Sequence, residues 1–199
     1  MLTSSIAVTR SRVYRLYAII QTGRWNLSVN ADMADYFAFA PKLLRWEHGF
    51  VNDPADSGGA TQDGVTLSTY RRYYGQDKTV MDLKRMTREQ WNHIMRRYWD
   101  FCKADQIHSQ SVAEIIVDWY VNSGFIGLKK VQKILGVEQD GKFGPITIGA
   151  INSRSAKCLH CQIKDARREH YENICRVNPS QCKFLNGWLN RLADYVYED

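Results

Sequence analysis

The chain has 199 residues, of which 44% are hydrophobic and 12% aromatic, so it is long and apolar enough to form a folded domain with a real core. Its net charge of +6 is concentrated in residues 1–31, which hold four arginines and no acid; of the 27 basic residues, 23 remain in 32–199 against 21 acidic ones. This near balance argues against a nucleic-acid-binding platform and against disorder.

Residues 1–32 are predicted to form a basic N-terminal extension. Their most apolar stretch, Val13 to Ile20, is interrupted by Arg15, and no small-residue cleavage site follows, so the segment does not look like a signal peptide. No stretch of the sequence is long and apolar enough to span a bilayer. Because the structured pattern begins near Met33, we hypothesise that residues 1–32 are an upstream extension or reflect a misplaced start.

The first predicted helix covers residues 34–47, with a break or kink near Pro41. A glycine-rich loop over 49–66 is predicted to contain a short β-hairpin, because Asp63-Gly64 is a strong signal for a tight turn. Thr66 or Ser68 is expected to cap the following helix.

The rest of the chain is predicted to be helical. Thr87 and Gln90 fit a capping box before an aromatic-rich helix, and Ser109 or Ser111 is expected to open the next one. Pro145 stands where the first turn of a helix tolerates proline. In order, the remaining predicted helices cover about 67–75, 91–101, 128–135, 155–176 and 182–197.

Five cysteines, an odd number, argue against a dense disulfide framework, and we expect free or buried thiols in a helical region. Two alternatives stay open. Cys158-Leu-His-Cys161 has the spacing of zinc ligands, although no second pair completes a tetrahedral set. A bridge between Cys175 and Cys182 is the other.

Glu47 is the leading candidate for a catalytic residue. It ends an apolar helix and precedes a polar, glycine-rich loop, where a carboxyl group can lie against an apolar wall and face a polar cleft. Such surroundings disfavour the charged form, and a carboxyl that keeps its proton can protonate a glycosidic oxygen. The alternative is a glutamate in a buried salt bridge.

A glycosidase also needs a second polar group that stabilises positive charge at the anomeric carbon or holds the attacking water. We expect Asp56 to act there as charge stabiliser or base and Thr61 to position the water. Asn52 and Asp53 are candidates for substrate contacts. For Asp53 and Asp56 the alternative is a role in forming the turn.

Further candidate substrate contacts lie outside this loop. Tyr98 and Trp99 have flat faces that can stack on sugar rings, with core packing expected for at least one of them. Asp118 and Asn122 share one edge of a helix with Glu114. Asn122 is expected to hydrogen-bond an acetamido group or, alternatively, to form a cap or interhelical bond near Gly124.

The run from Glu47 to Thr66, Glu-His-Gly-Phe-Val-Asn-Asp-Pro-Ala-Asp-Ser-Gly-Gly-Ala-Thr-Gln-Asp-Gly-Val-Thr, resembles the signature of the N-acetylmuramidases of glycoside hydrolase family 108. These bacterial and phage proteins were first described as secretion activators. Their motif begins Glu-Gly-Gly-Tyr, so their catalytic acid falls on Glu47, while His48 and Phe50 depart from the pattern. The spacing also resembles the Glu–Asp–Thr triad of phage-type lysozymes, which matches Asp56 and places the threonine about one residue beyond Thr61.

The resemblance continues through later segments and covers about 33–199. Tyr98-Trp99-Asp100 and residues 117–124 resemble the middle motifs, residues 128–151 resemble the accompanying peptidoglycan-binding segment, and residues 184–191 resemble its C-terminal helix. It implies a mainly α (α+β), lysozyme-like fold with a small β-hairpin beside the catalytic helix. It also implies a catalytic region over 33–124 and a peptidoglycan-binding helical region over 125–199, packed on the first.

The function implied is hydrolysis of the β-1,4 bond between N-acetylmuramic acid and N-acetylglucosamine, with Glu47 as general acid. We expect a monomer that acts on peptidoglycan glycan strands at the cell wall or periplasm, by an export route that the sequence does not reveal. No metal or organic cofactor, nucleic acid or integral membrane segment is expected. The alternatives are a non-catalytic wall-binding or secretion-accessory protein and an adaptor whose basic arm binds nucleic acid or acidic membrane. Phage lysis, wall remodelling and secretion stay open as biological roles.

Overall fold

The structure, a computed structural model, describes residues 33–47, 49–52 and 59–199. The predictions made for residues 1–32, for His48 and for Asp53 and Asp56 therefore lie outside the described residues. In chain order the helices and strands are α1 (Tyr36–Glu47), β1 (Phe50–Val51), β2 (Thr61–Gln62), β3 (Val65–Thr66), α2 (Leu67–Tyr74), α3 (Val80–Lys84), α4 (Arg88–Phe101), α5 (Gln110–Ser123), α6 (Phe125–Leu135), α7 (Pro145–Asn152), α8 (Ala156–Val177) and α9 (Leu185–Ala193).

Helix α1 buries one face and ends at Glu47. Its buried side chains recur every three or four positions, at Tyr36, Phe39, Ala40 and Leu43, which is the period of an amphipathic helix. The sequence predicts a break or kink near Pro41, and the helix continues through this residue, although proline has no N–H to donate. The packing of the apolar face outweighs the loss of one backbone bond.

The predicted hairpin is present and gains a third strand. Strands β1, β2 and β3 form an antiparallel sheet in that order, with Phe50 opposite Gln62 and Gln62 opposite Val65. The β2–β3 turn is Asp63-Gly64, and both residues have positive φ, 48° and 75°. This is the conformation that a two-residue turn requires, and glycine and aspartate tolerate it best.

Helix α5 lies at the centre of the core. All of its residues from Ser111 to Trp119 are buried, so the helix is covered on every side, with α6 and α8 packed against it. Its predicted cap is confirmed, since the Ser109 side chain accepts from the Val112 N–H. The predicted Thr66 cap and the Thr87–Gln90 capping box are confirmed as well.

Three predicted helices differ from the structure by three residues or more in at least one bound. The helix expected over 91–101 begins at Arg88, directly after the Thr87 cap. The helix expected over 182–197 ends at Ala193 and begins at Leu185, because residues 179–184 form a 3-10 helix after Pro179. The helix expected from Leu128 begins at Phe125, immediately after Gly124 with φ 61°. None of the described helices is long and apolar enough to cross a membrane.

All five cysteines are described, and all are free thiols. The Cys182 Sγ lies 3.6 Å from the Cys175 carbonyl oxygen, so these residues are close, but they are not bridged. The described residues contain no group of three metal-ligating side chains arranged to hold an ion, so Cys158 and Cys161 remain without a third ligand.

Candidate active site around Glu47

Glu47 lies at the end of α1 beside the β2–β3 turn, and 18% of its side chain is exposed. Gly64 in that turn packs directly against it. A Cβ added at Gly64 would stand 2.6 Å from Glu47 Oε2, which is closer than real Cβ contacts allow. Glycine at this position therefore makes room for the Glu47 carboxyl group to lie against the turn.

The turn is held in place by three hydrogen bonds through Asp63. Its side chain accepts from the Gly49 N–H at 2.8 Å, and its own N–H donates to the Gly49 carbonyl at 2.9 Å. The buried Trp91 donates its indole N–H to the Asp63 carbonyl at 2.8 Å. These bonds connect the turn to the chain just after Glu47 and to α4, so the wall beside the carboxyl group is fixed.

Arg191 of α9 forms a salt bridge with Glu47, its Nη1 lying 2.6 Å from Oε1. The carboxyl group therefore has a charged neighbour, and the expectation of purely apolar surroundings is not met. The structure shows the alternative given by the sequence, a salt bridge that is mostly buried.

Asp118 holds the rest of the Arg191 guanidinium. Arg191 donates through Nε to both Asp118 oxygens at 3.0 and 3.1 Å and through Nη2 to Oδ1 at 2.6 Å. The fully buried Arg167 donates to Oδ2 of Asp118 at 2.5 Å. Burial opposes ionisation of Asp118, but the two arginines hold the pKa of its carboxyl group below its ordinary value.

The network continues to Asn122. Arg167 Nε donates to the Tyr171 hydroxyl at 2.7 Å, and this hydroxyl donates to Asn122 Oδ1 at 2.6 Å. Burial opposes the charge of Arg191, but Asp118 and Glu47 together hold its pKa above the ordinary value. Two carboxylates thus face two guanidiniums, and their formal charges cancel.

Two of the predicted substrate contacts are buried instead. Trp99 is 0% exposed, donates its indole N–H to Asp105 at 2.7 Å and packs on Tyr36 and Phe39. It is therefore a core residue and has no face open to a sugar. Asp118 is also fully buried, and its carboxyl group pairs with Arg191 and has no surface open to a substrate.

The other predicted contacts stay predictions. Tyr98 is half-buried, with its ring 5.4 Å from that of Tyr120 and its hydroxyl accepting from Arg97 at 2.8 Å. Asn52 is exposed after β1. Thr61 is half-buried in β2 and donates weakly to the Gly59 carbonyl at 3.4 Å. Asn122 makes the interhelical bond that was its alternative role.

Arg167 and Arg191 were not predicted from the sequence. A signal was present for Arg167, which stands four residues after Ile163 and four before Tyr171 on the buried face of α8. An arginine on an apolar face requires a buried acidic partner, which is Asp118. No comparable local signal joins Arg191 to Glu47, because the pairing depends on how α9 packs against α1.

Two family models match the chain. Residues 40–124 match glycosyl hydrolase 108, and residues 126–193 match the predicted peptidoglycan domain. No curated protein matches in sequence. Among solved structures, the structure of Brucella abortus SagA is similar at 28% identity with a TM-score of 0.66, over 81% of this chain and 92% of that one.

These similarities confirm the mainly helical, lysozyme-like fold with its small antiparallel sheet. They also show that Glu47 and Asp118 belong to the first matched segment, whereas Arg167 and Arg191 belong to the second. The chain therefore combines a segment that matches glycosyl hydrolase 108 with one that matches the predicted peptidoglycan domain, and this combination supports a role as a peptidoglycan hydrolase.

Proposed function

We propose that this protein cleaves the β-1,4 bond between N-acetylmuramic acid and N-acetylglucosamine, with Glu47 as the general acid. The observation that carries the proposal is the asymmetry of the Glu47 carboxyl group. Oε1 is bound by Arg191, while Oε2 lies so close to Gly64 that a Cβ there would collide with it. One oxygen is thus paired with a cation, and we assign the proton transfer to the other.

In this mechanism Glu47 gives its proton to the bridging oxygen as the bond to the anomeric carbon breaks. Positive charge then develops on the sugar and has to be stabilised from the opposite side. We assign that role to Asp56, with Thr61 holding the attacking water. Residues 125–199 form the proposed peptidoglycan-binding region, with the glycan strand at the cell wall as substrate.

Arg191 does not pair with Glu47 alone. Asp118 accepts three of the Arg191 hydrogen bonds and supplies a negative charge beside the guanidinium. The proposed general acid therefore lies next to a cation that a buried carboxylate already pairs.

Digestion of purified peptidoglycan with mass analysis of the products tests the proposal. We expect muropeptides that end in reducing N-acetylmuramic acid. Products that end in reducing N-acetylglucosamine would show that the other glycosidic bond is cleaved. Wall binding without new reducing ends would favour the non-catalytic wall-binding alternative.

A further inference from the structure

Helices α1 and α9 meet through two ion pairs that differ in burial. Arg191 reaches Glu47 with side chains that are 9% and 18% exposed. Arg45 reaches Asp194, which follows α9, with side chains that are 61% and 30% exposed. The exposed pair is screened by solvent and contributes little, whereas the buried pair is shielded.

Arg191 is held more rigidly than an arginine in a single ion pair. Three of its hydrogen bonds go to Asp118, which is itself fixed by the fully buried Arg167. The planar guanidinium therefore has one orientation, and its remaining Nη1 points at Glu47. A freely rotating lysine-like charge would not fix the carboxyl group in this way.

The same network reaches a second candidate residue. From Asp118 it passes through Arg167 and Tyr171 to Asn122, which is one helical turn further along α5. Because the Tyr171 hydroxyl donates to Oδ1, it fixes the direction of the Asn122 amide. Glu47 and Asn122 are thereby set relative to one another by side chains of α8 and α9.

We propose that Arg191 is a positioning residue for Glu47, and that the C-terminal predicted peptidoglycan domain completes the catalytic site rather than serving only as a separate wall-binding module. This inference rests on the proposed function. It assigns to the 126–193 segment a part in the chemical step: Arg191 holds one carboxyl oxygen so that the other meets the glycosidic oxygen.

The test compares Arg191→Gln and Arg191→Lys in the full chain with the control Arg45→Gln. The control breaks the exposed ion pair between the same two helices. Initial rates of reducing-end release from purified peptidoglycan give kcat and KM at a temperature where circular dichroism shows every variant folded. Pelleting with insoluble peptidoglycan gives wall binding separately.

We expect Arg191→Gln to lower kcat about 100-fold, as a misplaced catalytic group does, with KM and wall binding within about threefold of the parent. Arg191→Lys keeps the positive charge but lacks the planar guanidinium with its several fixed donors, and we expect kcat to fall roughly tenfold. Arg45→Gln should match the parent. A merely structural role would lower the melting temperature and leave kcat of the folded protein unchanged.

The double variant Asp118→Asn/Arg191→Gln covers the case in which Arg191→Gln does not fold. It removes one charge of each sign and leaves Glu47 and Arg167 balanced. A folded double variant with kcat still lowered about 100-fold supports the positioning role. If a folded single or double variant keeps the parental kcat, this inference is overturned and the proposed function is not affected. A parent that releases no reducing ends overturns the proposed function and this inference with it.

Discussion

Gly64 and Glu47 are in direct contact across the candidate site: a Cβ on Gly64 would lie 2.6 Å from Glu47 Oε2 and 3.2 Å from Glu47 Cβ. The turn that carries Gly64 is held by hydrogen bonds from Asp63 to Gly49 and Trp91, so it cannot easily move away from Glu47. Glycine is required here both for its positive φ and for the space that it leaves.

We therefore expect Gly64→Ala to lower the rate of peptidoglycan hydrolysis by roughly 10- to 100-fold, because the Glu47 side chain has to move. Gly136→Ala is the matched control: Gly136 also has positive φ, 71°, but nothing lies within 4 Å of its added Cβ. Both variants should lose about 1 kcal/mol of unfolding free energy through backbone strain. Equal hydrolysis rates for the two variants would show that the contact with Glu47 has no role.

Asp118→Asn should lower kcat for peptidoglycan hydrolysis. Three of the Arg191 hydrogen bonds go to the Asp118 carboxylate, so weakening them loosens the orientation of the guanidinium that pairs with Glu47. We expect a loss of roughly tenfold in kcat. A parental kcat, measured on folded protein, would contradict the role of Asp118 in orienting Arg191.

Tyr171→Phe should destabilise the fold without removing a charge. The Tyr171 hydroxyl accepts from Arg167 and donates to Asn122, and the side chain is buried. Loss of both bonds should lower the free energy of urea unfolding by about 1–3 kcal/mol. Tyr74→Phe is the control, since that hydroxyl contacts His93 and the Gln90 carbonyl at an exposed edge, and it should cost under about 0.5 kcal/mol.

The buried His160 should make the free energy of unfolding fall in acid. Burial, followed by the nearby Lys164, lowers the pKa of His160 to about 4. Between pH 6.5 and 4 the unfolded chain binds a proton at this position and the folded chain does not, so stability falls as the pH falls. We expect His160→Phe to remove about 1–2 kcal/mol of this loss, allowing for solvent screening. Urea unfolding at pH 7 and pH 4.5 checks it, and an identical pH dependence for parent and variant would refute it.

Local features of this fold could be predicted from the sequence because neighbouring residues determine them. The Asp63-Gly64 turn, the Thr66 and Ser109 caps and the Thr87–Gln90 capping box need only a few adjacent side chains. The polar edge of α5, formed by Glu114, Asp118 and Asn122, could also be predicted from the sequence. Glu114 pairs there with Lys42 at 2.7 Å, one helical turn before Asp118.

The ion-pair partners of Asp118 and Glu47 could not be predicted, because they depend on packing between segments that are distant in the sequence. Asp118 was predicted to contact the substrate because it shares one edge of a helix with Glu114 and Asn122. Spacing along a helix does not tell whether an acidic residue on that edge is exposed or buried. The arginines that pair with Asp118 come from α8 and α9, which no local pattern places beside α5. The partner of Glu47 could not be identified for the same reason: the sequence left a buried salt bridge open as an alternative, but nothing local pointed to Arg191 as its cation.

The most direct test of the account is the rate of reducing-end release from peptidoglycan by Glu47→Gln beside the parent. Glutamine keeps the shape and an oxygen for Arg191 but cannot transfer a proton, so the rate should fall about 100-fold or more. Glu114→Gln is a suitable control, because Glu114 pairs with Lys42 and not with Arg191. Hydrolysis by Glu47→Gln at the parental rate would contradict the assignment of Glu47 as the general acid.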